Sequence, residues 1–126
     1  MSATIKNADR EAIRNFKKVL QRFNQFDTKM QVSTILTLLE VIEADLTGTV
    51  LSPTDIEDKV GLKPGTATRN IYYWGEGHKQ MSGSYGLVDV ALSIEDRRRR
   101  ELTLTHKGKA FAHHLIEELK DGKATG

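Results

Sequence analysis

Two short runs of alternating apolar residues flank a block of four consecutive arginines, and this arrangement constrains the fold most strongly. Val88, Val90 and Leu92 precede the arginines, and Leu102 and Leu104 follow them. Alternation with a period of two is typical of strands with one buried face, and a charged block between two such runs indicates an exposed turn. The sequence therefore predicts an antiparallel β-hairpin that carries arginines at its tip.

The arginine block, Arg97 to Arg100, cannot be packed inside a small domain. Its guanidinium groups face either water or an anionic partner, and their planar shape fits phosphate oxygens and narrow, negative grooves. A solvated loop that only maintains solubility is an alternative that the tip alone leaves open. The charge distribution favours a polyanionic partner, because residues 63–109 carry nine basic and five acidic side chains, a balance of +4.

The residues before the hairpin carry the signals of two short helices. Ser52 supplies an N-capping hydroxyl, Pro53 occupies a first helical position, and the Asp55 carboxylate can reach back to free backbone amides. Gly61 is a typical residue at a helix C-terminus, so this helix is short. A second helix is predicted over residues 64–74. Two short helices joined by a glycine-containing turn predict a helix-turn-helix.

The second helix has an inward and an outward face. Ala67, Ile71 and Trp74 are expected to face inward, and Tyr72 and Tyr73 to divide between packing and contact with a DNA backbone. Small hydroxyl groups and an arginine near a helix N-terminus suit contacts to phosphate and guanine. The candidate DNA-binding residues in and just before this helix are Lys63, Thr66, Thr68, Arg69, Asn70 and Tyr73.

Together, the helix-turn-helix and the hairpin resemble the winged helix-turn-helix of the multiple-antibiotic-resistance regulator (MarR) family of transcription factors. In the hairpin, every position of the family's pattern is filled at the family's offset. The positions that carry the resemblance are the run from Asp55 to Arg69, then Asp96, Arg98, Leu104, Thr105 and Gly108. The resemblance covers roughly residues 31–119 in element order.

The resemblance implies a mainly α fold with a small β-hairpin (α+β), a winged helix-turn-helix whose N- and C-terminal helices form a homodimer. It implies that the second short helix lies in a major groove of double-stranded DNA, that Arg98 enters a flanking minor groove, and that Asp96 braces the hairpin tip. Arg97, Arg99 and Arg100 have no assigned counterpart in the family. By their chemistry alone, we expect them to contact phosphates.

Amphipathic helices are predicted at both ends of the chain, over residues 9–26 and 107–120. Phe16, Phe23 and Phe26 lie on the apolar stripe of the first of them. That stripe either packs in an ordinary core or buries part of its surface against a second copy of the chain. The C-terminal helix is expected to pack on this stripe, from the same chain or from the other.

The remaining segments complete a single predicted domain over residues 1–126, with a DNA-binding core at about 31–108. Residues 31–46 are apolar nearly all round, which predicts a central, buried helix. Residues 47–51 predict a turn with at most one short strand. Residues 75–85 form a glycine- and serine-containing insertion that is longer than the connection usual in the family.

The sequence contains no pattern of catalytic, cofactor-binding or metal-binding residues. There are no cysteines, and His113 and His114 are adjacent, so on a helix they point about 100° apart and cannot share a metal. We therefore expect a protein that is not an enzyme and has no cofactor. No apolar run is long enough to cross a bilayer or to act as a signal peptide, which predicts a cytoplasmic protein without membrane contact.

Two functions of different classes remain open. The first is a homodimeric, sequence-specific transcriptional regulator that binds double-stranded DNA. The second is a winged-helix protein-interaction or replication/partition module with nonspecific or no DNA binding. The sequence does not give the operator, the sign of regulation, or whether a small-molecule effector binds between the dimerisation helices and the DNA-binding core.

Overall fold

The computed structural model describes residues 2–75, 85–96 and 98–120, with residues 2–6 described by their backbone only. The elements in chain order are α1 (Ser2–Phe26), α2 (Val32–Thr47), α3 (Pro53–Val60), α4 (Thr66–Trp74), β1 (Val88–Leu92), β2 (Arg100–Leu104) and α5 (His106–Leu119). This order confirms the predicted mainly α architecture with one β-hairpin. No helix in the described ranges is long and apolar enough to cross a membrane.

The chain forms two compact units. One consists of Met1–Met30 and Phe111–Gly126, and the other of Gln31–Ala110. The helix-turn-helix and the hairpin both belong to the second unit. The organisation of residues 1–126 as a single domain stays a prediction.

In the unit formed by the chain ends, the last turns of α1 pack on α5 of the same chain. The Phe111 ring lies with its centroid 5.5 Å from that of the buried Phe23 and 5.2 Å from that of Phe26. Nε of Arg22 donates to Oε1 of Glu118 at 2.8 Å, and Nη2 of Arg22 lies 2.7 Å from the same oxygen. The first helix is therefore the partner of α5 within one chain.

The start of α1 differs from the prediction, since the helix begins at Ser2 rather than near residue 9. The residues before Asp9 lack the apolar stripe that marks residues 9–26. Hydrophobic periodicity therefore gave no signal for the first turns of this helix.

The prediction of a central, buried helix is correct for only one face of α2. Its buried residues are Thr34, Thr37, Leu38, Val41, Ile42 and Ala44. Val32 and Leu46, by contrast, are 70% and 65% exposed, and Leu36 is 40% exposed. One face of the helix packs on α3, α4 and β2, and the opposite face keeps its apolar side chains in solvent.

The start of α3 is a complete capping box, as its sequence predicts. The Ser52 hydroxyl accepts from the Asp55 amide at 3.3 Å, and the Ser52 amide donates to Oδ2 of Asp55 at 2.8 Å. Gly61 ends the helix in the left-handed conformation, at φ 82°. The next helix, α4, begins at Thr66, two residues later than predicted, because Gly65 before it adopts φ 90°.

The two strands pair antiparallel, as the alternation predicts, with Val88 opposite Leu104 and Val90 opposite Leu102. Leu51 forms an isolated bridge to Leu102, which attaches the segment before α3 to the hairpin. Exposure rises along β1 from 3% at Val88 to 60% at Leu92. Only the base of the hairpin therefore has a buried face.

The junction between β2 and α5 gives a physical reason for two positions of the family's pattern. The Thr105 hydroxyl donates to the Gly86 carbonyl at 2.6 Å and accepts from the Gly108 amide at 3.0 Å, so it caps the start of α5. Gly108 lies against the Leu87 carbonyl, and a Cβ at this position would collide with that backbone. The close approach of helix and backbone therefore requires glycine.

Candidate nucleic-acid interface

Helix α4 separates a packed face from an open one. Ala67, Ile71 and Trp74 are at most 2% exposed, which confirms the predicted inward face. Arg69 is exposed on the other side, and the side chains of Thr66 and Thr68 are half-buried. The open face thus offers a guanidinium group together with two hydroxyl groups near the helix N-terminus. Lys63, in the turn before the helix, is also exposed.

Asn70 is a correction to the predicted contact set, because its side chain is buried, at 6% exposure. Its Oδ1 accepts from the Thr34 hydroxyl at 3.1 Å, and its Nδ2 donates to the Thr37 hydroxyl at 3.3 Å. Both threonines belong to α2. Asn70 therefore joins two helices of the core and does not lie on the open face of α4.

Tyr73 packs in an aromatic cluster. Its ring centroid lies 5.3 Å from that of Trp74 and 5.2 Å from that of Tyr85, in both cases edge to face. Its neighbour Tyr72 instead reaches the hairpin, where its hydroxyl accepts from Nη1 of Arg100 at 3.4 Å. The two tyrosines divide between packing and the open side of the unit.

A cavity of about 270 Å³ lies between α4 and the hairpin. Its walls are Tyr72, Val88, Val90, Ala91, Leu92 and Arg100. One wall is therefore the apolar face of β1, and the other carries a phenol and a guanidinium group. Arg100 lies at the first residue of β2 rather than at the hairpin tip.

The hairpin tip is held by Ser93, a residue that the sequence reading did not single out. Its hydroxyl accepts from the amides of Glu95 and Asp96 at 3.2 and 3.3 Å, and its own amide donates to the Arg99 carbonyl at 2.8 Å. The side chain is buried at 6% exposure. A serine at the start of a polar turn is the available signal, since its hydroxyl commonly bonds amides two and three residues on.

Asp96 and Arg98 lie together at this tip. Oδ1 of Asp96 accepts from the Arg98 amide at 3.0 Å and lies 3.6 Å from the Nε of the Arg98 side chain. The Arg98 side chain is 95% exposed. This arrangement fixes the backbone at Arg98 while its guanidinium group stays open to a partner.

Arg99 makes an ion pair that the sequence reading missed. Its Nη2 lies 3.1 Å from Oδ2 of Asp55, in the first turn of α3. The pKa of the Asp55 carboxyl is lowered, first by the hydrogen bond from the Ser52 amide, and further by the Ser52 hydroxyl and the Arg99 charge, while burial acts in the opposite direction. The predicted contact Arg97 lies outside the described residues.

Several solved structures resemble this chain over nearly its whole length. A MepR-DNA complex from S. aureus has a TM-score of 0.64 at 15% identity and covers 98% of this chain and 87% of that one. A MepR variant bound to an oligodeoxyribonucleotide has a TM-score of 0.67 at 15% identity, with 99% and 80% covered. RV1404 from Mycobacterium tuberculosis has a TM-score of 0.65 at 14% identity, with 98% and 75% covered.

The chain has the MarR-family winged-helix fold. No protein-family model and no curated protein matches its sequence. At identities of 14 to 18%, the structural likeness shows the fold alone. In this winged-helix fold, α4 occupies the position that is called the recognition helix, and the hairpin formed by β1 and β2 is called the wing.

Within the winged-helix unit, the open face of α4 and the wing present a consistent chemistry. The described candidates that are open to a partner are Lys63, Thr66, Thr68, Arg69, Arg98, Arg99 and Arg100. Among the described residues, no group of three or more His, Asp or Glu side chains is arranged to hold a metal ion. The site therefore offers cations, hydroxyl groups and one phenol, which suits an anionic partner.

Proposed function

We propose that the protein is a sequence-specific transcriptional regulator that binds double-stranded DNA as a homodimer. The observation that carries this proposal is the open face of α4. Arg69 is exposed there, while Ala67, Ile71 and Trp74 fix the opposite face in the core. A rigid helix with one exposed arginine and flanking hydroxyl groups has the form of a major-groove reader.

The wing supports the proposal through its exposed cations. Arg98 is the candidate for a minor groove, because its backbone is held by Asp96 and its side chain is free to extend. Arg100 lies beside Tyr72 of α4, and we expect it to contact a phosphate strand between the two grooves. The MepR-DNA complexes among the structural neighbours support the same use of the fold.

The proposal of a homodimer is supported by an apolar stripe of α1 that the described part of the chain leaves exposed. Ile13, Phe16 and Leu20 recur at helical spacing and are 62%, 54% and 38% exposed in the single chain. Burying such side chains gains free energy, at roughly 25 cal/mol per Å² of apolar area removed from water. A second copy of the chain would cover this stripe in a symmetric contact.

A second candidate, a winged-helix protein-interaction or replication/partition module, has one observation in its favour. Ile94 at the wing tip is 98% exposed, and Leu92 near it is 60% exposed. Exposed apolar residues at a tip suit contact with a protein as well as with DNA.

Binding to duplex DNA as a function of salt distinguishes the two functions. DNA fragments selected by the protein from a random library, and scrambled duplexes of the same composition, are titrated by fluorescence anisotropy at several NaCl concentrations. Regulation of transcription predicts a preference for the selected sequence and an affinity that falls steeply with salt. Absence of duplex binding even at low salt would favour the protein-interaction module.

A further inference from the structure

A buried polar network joins the recognition helix to α2. Asn70 occupies its centre, with the Thr34 hydroxyl on its carbonyl oxygen and the Thr37 hydroxyl on its amide nitrogen. The Thr37 hydroxyl in turn donates to the Ser33 carbonyl at 2.8 Å. One turn further along α4, the Trp74 indole Nε1 donates to the Thr34 carbonyl at 2.7 Å.

The donors and acceptors of this network are matched. The Thr34 hydroxyl gives its proton to Oδ1 of Asn70, and the Thr37 hydroxyl accepts from Nδ2 while giving its own proton to Ser33. Thr34, Thr37, Asn70 and Trp74 are each at most 7% exposed. A satisfied network of this kind is directional, because each bond weakens steeply when its angle changes.

The apolar contacts around the network do not fix the orientation of α4 as the hydrogen bonds do. Ala67 and Ile71 bury apolar surface of α4, and such packing tolerates small rotations of a helix with little change in buried area. The hydrogen bonds of Asn70 and Trp74 lie one turn apart on α4. Together they restrict the rotation of α4 about its axis and its translation along α2. Because Arg69 directly precedes Asn70, this restriction also fixes the direction in which the Arg69 side chain leaves the helix.

We propose that Asn70 is a positioning residue, which through Thr34 and Thr37 sets the rotation of the recognition helix and thereby the sequence selectivity of Arg69. This inference rests on the proposed DNA-binding function. Because its side chain is buried, Asn70 acts through the backbone of α4 and not by contact with DNA. A buried polar network is a weak source of stability and a known source of structural specificity in some proteins, so its removal need not unfold the chain.

The test replaces the whole network by apolar side chains of similar shape, in the variant Thr34→Val, Thr37→Val, Asn70→Leu. Removing all three partners leaves no unpaired group, so we expect a melting temperature close to that of the parent. The ratio of affinities for the selected and the scrambled duplex is expected to fall at least about tenfold, with the scrambled duplex bound within about twofold of the parent.

Two further readouts do not depend on DNA. Trp74 is the sole tryptophan, so its fluorescence emission reports on the packing of α4 against α2. Amide hydrogen exchange over residues 67–74 reports on the local opening of that helix. Both are expected to change in the triple variant, the exchange becoming faster. The single variant Asn70→Ala, which removes the amide while the Thr37 hydroxyl still donates to the Ser33 carbonyl, covers the case in which the triple variant fails to fold, and the same changes are expected.

The outcomes separate the two proposals. A folded triple variant with unchanged selectivity, emission and exchange would overturn the positioning role of Asn70 and leave the DNA-binding function in place. A parent protein that shows no preference for any duplex would instead overturn the proposed function. In that case, the emission and exchange of α4 alone decide whether Asn70 positions the helix.

Discussion

The guanidinium group of Arg99 is bound to Oδ2 of Asp55 at 3.1 Å, and the same oxygen accepts the Ser52 amide at 2.8 Å. One carboxylate thus serves both the N-terminal cap of α3 and the tip of the wing. Arg99 differs in this from Arg98, whose side chain is 95% exposed. The cations of the tip are therefore not equivalent.

The first prediction concerns the salt dependence of DNA binding. Arg100→Ala is expected to lower the slope of log affinity against log salt by roughly one per subunit, because about one counterion is released for each neutralised phosphate. Arg99→Ala is expected to lower the slope by less, since its charge is already shared with Asp55. Anisotropy titrations at four or more salt concentrations measure both slopes, and equal losses would show that the ion pair opens on DNA.

The second prediction is a pH dependence of stability that arises from Asp55. The hydrogen bond from the Ser52 amide, aided by the Ser52 hydroxyl and Arg99, holds the pKa of this carboxyl below its usual value of 3.8. A lowered pKa in the folded state stabilises the protein above the unfolded pKa, and the stabilisation is lost as the pH falls through the folded pKa. Asp55→Ala should therefore cost about 0.3–1 kcal/mol at pH 7, the usual range for a carboxylate in the first turn of a helix.

Thermal unfolding of the parent and Asp55→Ala between pH 7 and about pH 3 measures this contribution as a difference. Other carboxyl groups titrate in both proteins and cancel in that difference. The gap in unfolding free energy is expected to stay constant down to about pH 5 and to shrink below it. A gap that is independent of pH would mean that the charged form of Asp55 is not preferred in the folded protein.

The third prediction concerns Arg69, the exposed arginine of α4. Arg69→Ala should weaken binding to the selected duplex by about 1–3 kcal/mol and leave binding to the scrambled duplex nearly unchanged, because a base-edge contact carries sequence information. Lys63→Ala, at an exposed position just before the helix, serves as the control. It should weaken both equally, as a phosphate contact does. Equal losses for Arg69→Ala would reduce Arg69 to a phosphate contact as well.

The fourth prediction concerns the stripe of α1. The parent chain is expected to sediment at twice its mass of 14.1 kDa at micromolar concentration. Phe16→Glu places a charge within the stripe and should shift the protein to monomer, while Gln21→Glu adds the same charge at an exposed position outside it and should not. A parent that sediments as a monomer would remove the basis for the homodimer.

Local signals in the sequence were sufficient for much of the fold. The capping box at Ser52 and the glycine at position 61 marked α3 correctly, since both act through backbone hydrogen bonds within a few residues. The alternation on both sides of the arginines predicted the two antiparallel strands of the wing. Such features depend on near neighbours in the chain and can be read directly.

Features set by distant partners could not be read in the same way. Asn70 looked like a surface residue of a DNA-binding helix, and only the packing of α4 on α2 places Thr34 and Thr37 against it. Arg99 looked like its neighbours until Asp55, 44 residues earlier, proved to be its partner. The apolar composition of α2 likewise predicted more burial than the structure shows. An apolar residue is buried only where another surface covers it, and Leu46 remains exposed.

The last prediction is Asp96→Ala, where two physical effects have opposite signs. Removing a carboxylate from a DNA-facing tip makes the wing more positive, so long-range electrostatics predicts tighter binding. Removing Oδ1 also releases the Arg98 amide, so the backbone that aims Arg98 loses its brace and binding should weaken. Because Asp96 is exposed and its charge is screened within about 8–10 Å at physiological salt, we expect the loss of the brace to prevail.

Asp96→Asn is the matched control, since an amide oxygen can still accept from the Arg98 amide while the negative charge is gone. At physiological salt, we expect Asp96→Asn to bind the selected duplex at least as tightly as the parent, and Asp96→Ala to bind it more weakly. The difference should be largest on duplexes with A·T-rich flanks, where a narrow minor groove favours an inserted arginine. If a folded Asp96→Ala protein binds as tightly as Asp96→Asn, the hydrogen bond to Arg98 does not position the wing, and charge alone governs its contribution.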